Sequence, residues 1–264
     1  MSNQPDFQFD ARAATEYNRS RAHPPDVAQR IGAAIASQIG VGNHALEIGV
    51  GTGRIAFPVA HAGCRVAGID VSAQMLQDLW DDPTQYATLT LTRADMHRLP
   101  FAANSFDAVL AVHVLHLSQD AETMLREIAR VLKSGGKLIK GDDWIDPASC
   151  TGMLRNELRA HVMRIAPDFM PPSAMVPRDK ILAELGGTQA EEHTVAEWTT
   201  TASPAERLRV ISQRQDPESW VLADDVFEQC VAHLHEFAAQ TWDDLDAQQP
   251  VQRRFNLKVT YGEW

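Results

Sequence analysis

The chain has 264 residues and 44% hydrophobic content, which suits one large folded domain or a domain with a sizeable insertion. Its formal net charge of -11 disfavours nucleic acid as a partner, because a polyanion meets repulsion that no basic stripe offsets. No uncharged apolar run reaches about 18 residues and the first residues are polar and acidic, so we expect a cytoplasmic protein with no membrane partner.

Short apolar runs and helical patterns alternate along the first half of the chain. Apolar residues recur at intervals of three and four residues between Pro24 and Ile39, which predicts an amphipathic helix. The next elements, in order, are a strand at HALEIGV, a glycine turn into a helix at GTGRIAFPVAHAG, a strand at CRVAGIDVS, a Ser72-capped helix over Ala73–Trp80, and strands at ATLTLTRAD and FDAVLAVHVL. A helix over Ala121–Leu132, stopped by Ser134-Gly135-Gly136, leads to a fifth strand over Lys137–Asp143. This alternation predicts right-handed crossovers and an α/β fold with a parallel sheet.

The pattern becomes less regular after Trp144. The segment that follows Trp144 is predicted to enter a helix. Three more helices are predicted over Arg178–Leu185, Pro204–Gln213 and Asp224–Thr241. Looser alternation predicts a sixth strand over His193–Thr201 and a seventh at VQRRFNLKVTYG. The three cysteines, Cys64, Cys150 and Cys230, are widely spaced, which supports neither a disulfide framework nor a zinc site.

A glycine-rich loop between the first strand and its helix is the strongest functional signal. Its glycines, Gly49 and Gly51 among them, let backbone approach a ligand closely. Arg54 stands where a dinucleotide fingerprint needs its third glycine, which disfavours pyrophosphate. Glu47 would repel a pyrophosphate but suits an ammonium group. Asp70 lies 19 residues after Gly51 at a strand end, where its carboxylate can accept both hydroxyls of a ribose.

A third acid, Asp95, follows the third predicted strand. Its carboxylate and the neighbouring Met96 amide can hydrogen-bond an adenine edge. Together the acids at three successive strand ends predict a site for a nucleoside that carries a cationic amino acid.

Five ordered motifs, LEIGVGTGR, GIDVS, RADMHRLPF, FDAVLAVHVLHL and EIARVLKSGGKLI, resemble the class I S-adenosylmethionine-dependent methyltransferases. Within them the chain is similar to the group that includes the ubiquinone and menaquinone C-methyltransferases, over about Tyr17 to Asp143. The resemblance implies a Rossmann-like, doubly wound, mostly parallel seven-stranded sheet with an antiparallel last strand and a helical cap insertion. It implies four regions: a helical lid at 1–40, a cofactor-binding core at 41–143, a cap or substrate region at 144–250, and a final strand at 251–264.

The resemblance also assigns roles at the cofactor site. It implies that S-adenosylmethionine is held by Gly49 and Gly51 at the methionine, Asp70 at the ribose, Asp95 and Met96 at the adenine, Val71 and Met75 beside the ring, and His113 near the sulfur. Tyr17 and Arg21 match the N-terminal helix that closes over the cofactor in such enzymes. They equally suit a helix that only packs on the domain surface.

Methyl transfer from a sulfonium is an in-line displacement, so the protein mainly aligns the acceptor and excludes water. His113 and His116 are the candidate bases for a hydroxyl or a protonated amine, although a histidine there also suits a purely orienting role. Asp142, Asp143 and Trp144 follow the fifth strand where an acceptor would enter, with Asp143 and Trp144 as candidate substrate contacts. A solvated acidic loop is the alternative for the two acids, and no third ligand supports a metal site.

The predicted function is methyl transfer to O, N or C of a small-molecule acceptor by a monomer or homodimer. A non-catalytic cofactor-binding sensor or scaffold on the same fold is the alternative. A nicotinamide-dependent oxidoreductase is a weaker one, because Arg54 and Glu47 argue against it.

Overall fold

The computed structural model describes residues 22–80, 89–118, 120–167, 178–189, 192–215, 219 and 222–264. Tyr17 and Arg21 lie outside these residues. The described strands are β1 His44–Ile48, β2 Arg65–Asp70, β3 Leu89–Arg93, β4 Phe106–Val112, β5 Leu132–Ile145, β6 Gly187–Gln189, β7 His193–Ala202 and β8 Gln249–Gly262.

The helices lie between these strands, mostly where the apolar periodicity predicts them. They are α1 Pro25–Ile39, α2 Ala56–His61, α3 Ala73–Trp80, α4 Ala121–Val131, α5 Cys150–Ile165, α6 Arg178–Glu184, α7 Pro204–Ser212 and α8 Asp224–Thr241. The bounds of α3 are the predicted ones, and the Met75 amide donates to the Ser72 hydroxyl at 3.3 Å, which confirms the predicted cap. In the described part of the chain no helix is long and apolar enough to cross a membrane.

The strands form one sheet in the order β3-β2-β1-β4-β5-β8-β6, with β7 paired to β8. The pairs β1–β2, β1–β4, β2–β3 and β4–β5 are parallel, and β6–β8 is antiparallel. This confirms the predicted Rossmann-like, mostly parallel sheet. The described sheet has eight strands, one more than predicted, because the three-residue β6 is too short to show alternation.

The start of β5 also differs from the prediction. The strand begins at Leu132, directly after α4, although Ser134-Gly135-Gly136 was expected to separate the two elements. The register shifts between Phe106 and Ala108 of β4, and Gly135 has a φ of 74°. The glycines that the sequence pattern assigns to a turn therefore lie in an irregular, bulged start of β5.

The chain divides into two compact units. The sheet unit contains the described residues of 22–142, 178–196 and 255–264, and the helical unit those of 143–167 and 197–254. Within the predicted cap region 144–250, residues 178–196 thus belong to the sheet unit. The functional assignment of that region as a cap stays a prediction.

Apolar side chains fill each unit separately. In the sheet unit, α4 buries Met124, Leu125 and Ile128 against the central strands, as its spacing predicts. In the helical unit, α5, α7 and α8 bury a cluster of their own, which includes Leu158, Leu208 and Leu234. The apolar periodicity of these helices therefore reflects helix-to-helix packing.

Candidate active site

The glycine loop follows β1 at the carboxyl edge of the parallel strands. Gly49 and Gly51 have φ values of 66° and 52°, in the left-handed region that glycine adopts without strain. The Val50 amide donates to the Ile69 carbonyl at 2.9 Å, and the Gly53 amide donates to the Val50 carbonyl at 2.9 Å. These bonds fix a tight turn that leads into α2.

The two loop glycines meet different surroundings. A Cβ at Gly49 would lie 2.5 Å from Cγ2 of Val114, so this position is closed by packing. Among the described residues, a Cβ at Gly51 would have only the Gly49 carbonyl oxygen near it, at 4.0 Å. The described part of the chain therefore leaves open space at the Gly51 Cα.

Asp70 ends β2 and holds the glycine loop. Its Oδ2 accepts from the Gly51 amide at 2.9 Å, and its Oδ1 accepts from the Ser72 amide at 2.9 Å. Burial raises the pKa of Asp70, while these amide bonds act in the opposite direction. A carboxylate has about four lone-pair directions, so Asp70 keeps acceptor capacity for a hydroxyl beside these amide bonds.

Glu47 is the buried acid of the site. It lies within β1, is 3% exposed, and burial raises its pKa to about 8, although the Arg54 charge and the Ala56 amide favour the ionised form. Its Oε2 is buried and has no hydrogen-bond partner among the described residues. An unpaired buried carboxyl oxygen is costly unless a donor reaches it, and an ammonium group would supply both a donor and a positive charge that favours the ionised form of Glu47.

Asp95 lies just beyond β3 and contacts a histidine that the sequence analysis did not select. Its Oδ1 accepts from the His97 amide at 2.9 Å and lies 2.7 Å from His97 Nδ1. His97 Nε2 in turn lies 2.8 Å from the Ser118 hydroxyl. Burial alone would raise the pKa of Asp95, but the His97 contacts outweigh it and lower the pKa.

The remaining predicted cofactor contacts lie near these acids in the chain but differ in exposure. Val71 is 54% exposed and Met75 is 3% exposed. Met96 is partly buried and packs against the core of the sheet unit. Their assignment to the adenine ring stays a prediction.

His113 follows β4 at the same edge of the sheet. Its φ of 52° is uncommon for a residue with a side chain and costs roughly 1–2 kcal/mol. His113 Nδ1 lies 3.6 Å from Oδ1 of Asp142 on β5, and the two side chains are 17% and 71% exposed. His116, the other predicted base, lies in a short 3-10 turn over Leu115–Leu117 and is half-buried.

The two predicted substrate contacts belong to the helical unit. Cζ of the Arg254 guanidinium lies 4.6 Å from the centroid of the Trp144 ring, and Arg254 Nε forms an ion pair with Glu197 Oε1 at 2.9 Å. Asp143 is partly buried. Among the described residues, no group of three His, Cys, Asp or Glu side chains is arranged to hold a metal ion.

The partners that sequence reasoning missed are His97 and Ser118. His97 contacts the predicted residue Asp95, and Ser118 contacts His97. RADMHRLPF contains His97, so the available signal for it was a histidine two residues after the predicted site residue Asp95. Ser118 carries no local signal, because its contact with His97 forms only when the segments that follow β3 and β4 meet at one edge of the sheet.

Comparison with known proteins identifies the type of domain. A family model described as "Methyltransferase domain" matches residues 46–140. The demethylmenaquinone methyltransferase of Tropheryma whipplei (strain Twist) is 39% identical over 110 residues, which are 40% of this chain and 45% of the relative. The O-methyltransferase resE of Aspergillus sclerotiorum is 34% identical over 122 residues, which are 45% of this chain and 46% of the relative. This chain therefore spans less than half the length of either relative.

A solved structure extends the similarity to nearly the whole fold. Haemonchus contortus phosphoethanolamine N-methyltransferase 2, in complex with S-adenosyl-L-methionine, superposes with a TM-score of 0.54 at 18% identity. The superposition covers 97% of this chain and 58% of that one. At this identity the likeness supports the fold and carries no statement about the substrate.

Proposed function

Because residues 46–140 match a methyltransferase domain model, we propose that this chain is a class I enzyme that transfers a methyl group from S-adenosylmethionine to a small-molecule acceptor. The observation that carries the proposal is the preformed loop at Gly51. Asp70 holds its amide, Gly51 faces open space, and the buried Glu47 keeps one oxygen without a partner among the described residues. These three features fit a ribose and an ammonium group attached to one ligand.

Each acid of the site has a part in binding the cofactor. Asp70 receives the ribose hydroxyls on oxygens that two amides already orient. Glu47 Oε2 accepts from the cofactor ammonium, which supplies the missing donor. Asp95 and the Met96 amide bind the adenine edge, with Val71 and Met75 beside the ring. Tyr17 and Arg21, for which the sequence resemblance predicts cofactor contacts, lie outside the described residues.

The cofactor supplies a sulfonium-bound methyl group, and the protein supplies alignment and proton transfer. His113 acts near the reacting atoms, with Asp142 on β5 orienting its ring. The left-handed backbone at His113 supports this role, because strain of this kind persists where a side chain must be held in a particular direction. His116 is the second candidate base. Both are suited to remove a proton from a hydroxyl or an ammonium acceptor near neutral pH.

We further propose that Asp143 and Trp144 contact the acceptor and that the region 144–250 contributes substrate specificity. The acceptor is a small molecule and not a nucleic acid, which the net charge of -11 supports. The protein acts in the cytoplasm as a monomer or homodimer. No observation favours the non-catalytic sensor or scaffold, so catalysis is the function proposed.

Calorimetry with S-adenosylhomocysteine tests the cofactor part of the proposal. Gly51→Ala should abolish measurable binding, because its Cβ would enter the open face of the loop. Gly42→Ala is the matched control, since Gly42 also has a positive φ, of 83°, with nothing within 4 Å of the added Cβ, but lies before β1. Equal binding by both variants, or no binding by the unmodified protein at millimolar ligand, would remove the proposal.

The catalytic part is tested with methyl-labelled S-adenosylmethionine and a panel of hydroxyl, amine and activated carbon acceptors. Label transfer to one class supports catalysis and identifies the reacting atom. Tight cofactor binding without transfer to any member would favour the sensor or scaffold function instead.

A further inference from the structure

The chain of side chains Asp95, His97 and Ser118 is the feature from which we infer more than cofactor binding. It joins the ends of β3 and β4 by two short contacts, 2.7 Å from Asp95 Oδ1 to His97 Nδ1 and 2.8 Å from His97 Nε2 to the Ser118 hydroxyl. The same carboxylate oxygen also accepts from the His97 amide at 2.9 Å. We call these three residues the Asp–His–Ser chain.

The chemistry of the partners fixes the direction of the hydrogen bonds. The contacts with His97 lower the pKa of Asp95, so its carboxylate is ionised near neutral pH and only accepts. His97 Nδ1 must then donate to it. When the imidazole is neutral, Nε2 accepts from the Ser118 hydroxyl, and when both ring nitrogens carry protons, Nε2 donates to the Ser118 oxygen.

Exposure falls along the Asp–His–Ser chain. The side chains of Asp95 and His97 are 60% and 28% exposed, and Ser118 is 4% exposed. The order of the three groups is that of a hydrolase triad, but a hydroxyl buried to this extent is not accessible as a nucleophile. Ser118 is instead the fixed end of the chain, and Asp95 is the end that faces a ligand.

The two carboxylate oxygens of Asp95 are not equivalent. Oδ1 carries both contacts with His97, whereas Oδ2 accepts no hydrogen bond from the part of the chain that the structure describes. The Asp–His–Ser chain therefore holds the carboxylate in one orientation with Oδ2 presented as a bare acceptor. A bare, ionised acceptor selects a ligand group that donates, such as an exocyclic amine.

We propose that His97 and Ser118 are positioning residues that make the cofactor site selective for the 6-amino group of adenine. They act through Asp95, because Asp95 is the member of the Asp–His–Ser chain that contacts the ligand. The inference rests on the proposed function, because it concerns the adenine end of the cofactor. It goes beyond that function in naming the residues that set selectivity at this end.

The test compares two ligands by calorimetry. One is S-adenosylhomocysteine, and the other is its 6-deamino analogue, in which hydrogen replaces the amino group while the ring nitrogens stay as acceptors. The unmodified protein should bind S-adenosylhomocysteine roughly tenfold more tightly, as expected for one hydrogen bond to a partly exposed charged acceptor. A preference below about twofold would overturn the inference.

Substitutions then separate positioning from a structural role. His97→Ala should reduce the preference to less than about threefold, whereas His97→Asn, whose side-chain amide can still donate to Asp95, should keep most of it. Ser118→Ala should give an intermediate value, and His235→Ala, an exposed histidine on α8, should leave it unchanged. If the role of His97 were purely structural, His97→Ala would weaken the binding of both ligands equally. An unchanged ratio of the two affinities in His97→Ala therefore contradicts the proposal. Thermal unfolding of each variant shows whether it is folded.

A measurement without ligand gives an independent readout. The nitrogen NMR shifts of the His97 ring should report the Nδ1–H tautomer in the unmodified protein and a loss of that preference in Asp95→Asn. An Nε2–H tautomer in the unmodified protein would overturn the inference.

If the unmodified protein binds neither ligand, the proposed function and this inference both fail. If it binds S-adenosylhomocysteine but the ratio does not respond to His97, only this inference fails.

Discussion

The buried carboxyl of Glu47 makes a prediction about pH that is large enough to measure without a ligand. Its pKa is about 8 in the folded protein against 4.5 for an ordinary glutamate, because burial disfavours the ionised form. A raised carboxyl pKa means that folding must take up a proton between these two values. The contribution of Glu47 to stability is therefore fully present below pH 4.5 and is lost as the pH rises through about 8.

The size of the effect follows from the linkage between proton binding and folding. The free energy of unfolding should fall by about 1.4 kcal/mol for each pH unit inside this window, or by roughly 5 kcal/mol across it. Glu47→Gln keeps the shape and the acceptor for the Ala56 amide but carries no ionisable group. The variant should match the unmodified protein near pH 4.5 and exceed its stability by about 3 kcal/mol at pH 7.

Urea unfolding of both proteins at pH 5, 6, 7 and 8 measures this difference directly. Other titrating groups contribute equally to the two proteins and cancel. Glu228→Gln, which makes the same substitution at an exposed position on α8, is the matched control. A Glu47→Gln difference that stays constant from pH 5 to 8 would refute the reasoning, since it would mean that Glu47 has an ordinary pKa in the folded protein.

Other predictions concern packing, capping and the reaction. Gly49→Ala should destabilise the protein by at least about 2 kcal/mol in thermal unfolding, because a positive φ and a contact of 2.5 Å with Val114 both oppose the Cβ. Ser203→Ala should cost about 1 kcal/mol in urea unfolding, since it removes the capping box of α7; no measurable loss would contradict this. Asp142→Asn should slow methyl transfer by about tenfold while binding of S-adenosylhomocysteine is kept, if Asp142 orients His113; an unchanged rate would exclude that role.

The sequence was most informative where local pattern and chemistry agree. The bounds of α3 follow from periodicity and the Ser72 cap, and the positions of Glu47, Asp70 and Asp95 at strand ends follow from the alternation of strands and helices. The short strand β6 was missed, because three residues show no period. The Asp–His–Ser chain was missed for a different reason: Ser118 meets His97 only once β3 and β4 end at the same edge, and no spacing along the chain encodes that contact.

Local reasoning also failed to identify how unusual Glu47 is. An acid before a glycine loop suggests an ammonium partner, but the pattern does not tell whether the side chain is exposed or fully enclosed. Its 3% exposure and the lack of a partner for Oε2 among the described residues depend on how the surrounding segments pack. The difference matters physically, because only an enclosed carboxyl has a strongly raised pKa.

The bond between Asp70 and the Gly51 amide has a consequence for the kinetics of ligand exchange. Asp70 already holds the glycine loop in place, so the binding surface is formed before a ligand arrives. Binding does not wait for the loop to order. We expect the association rate to resemble that of a rigid pocket, with differences in affinity among ligands appearing mainly as differences in residence time. Replacing Asp70 would release the loop as well as remove a ligand contact, and should therefore slow association and speed dissociation together.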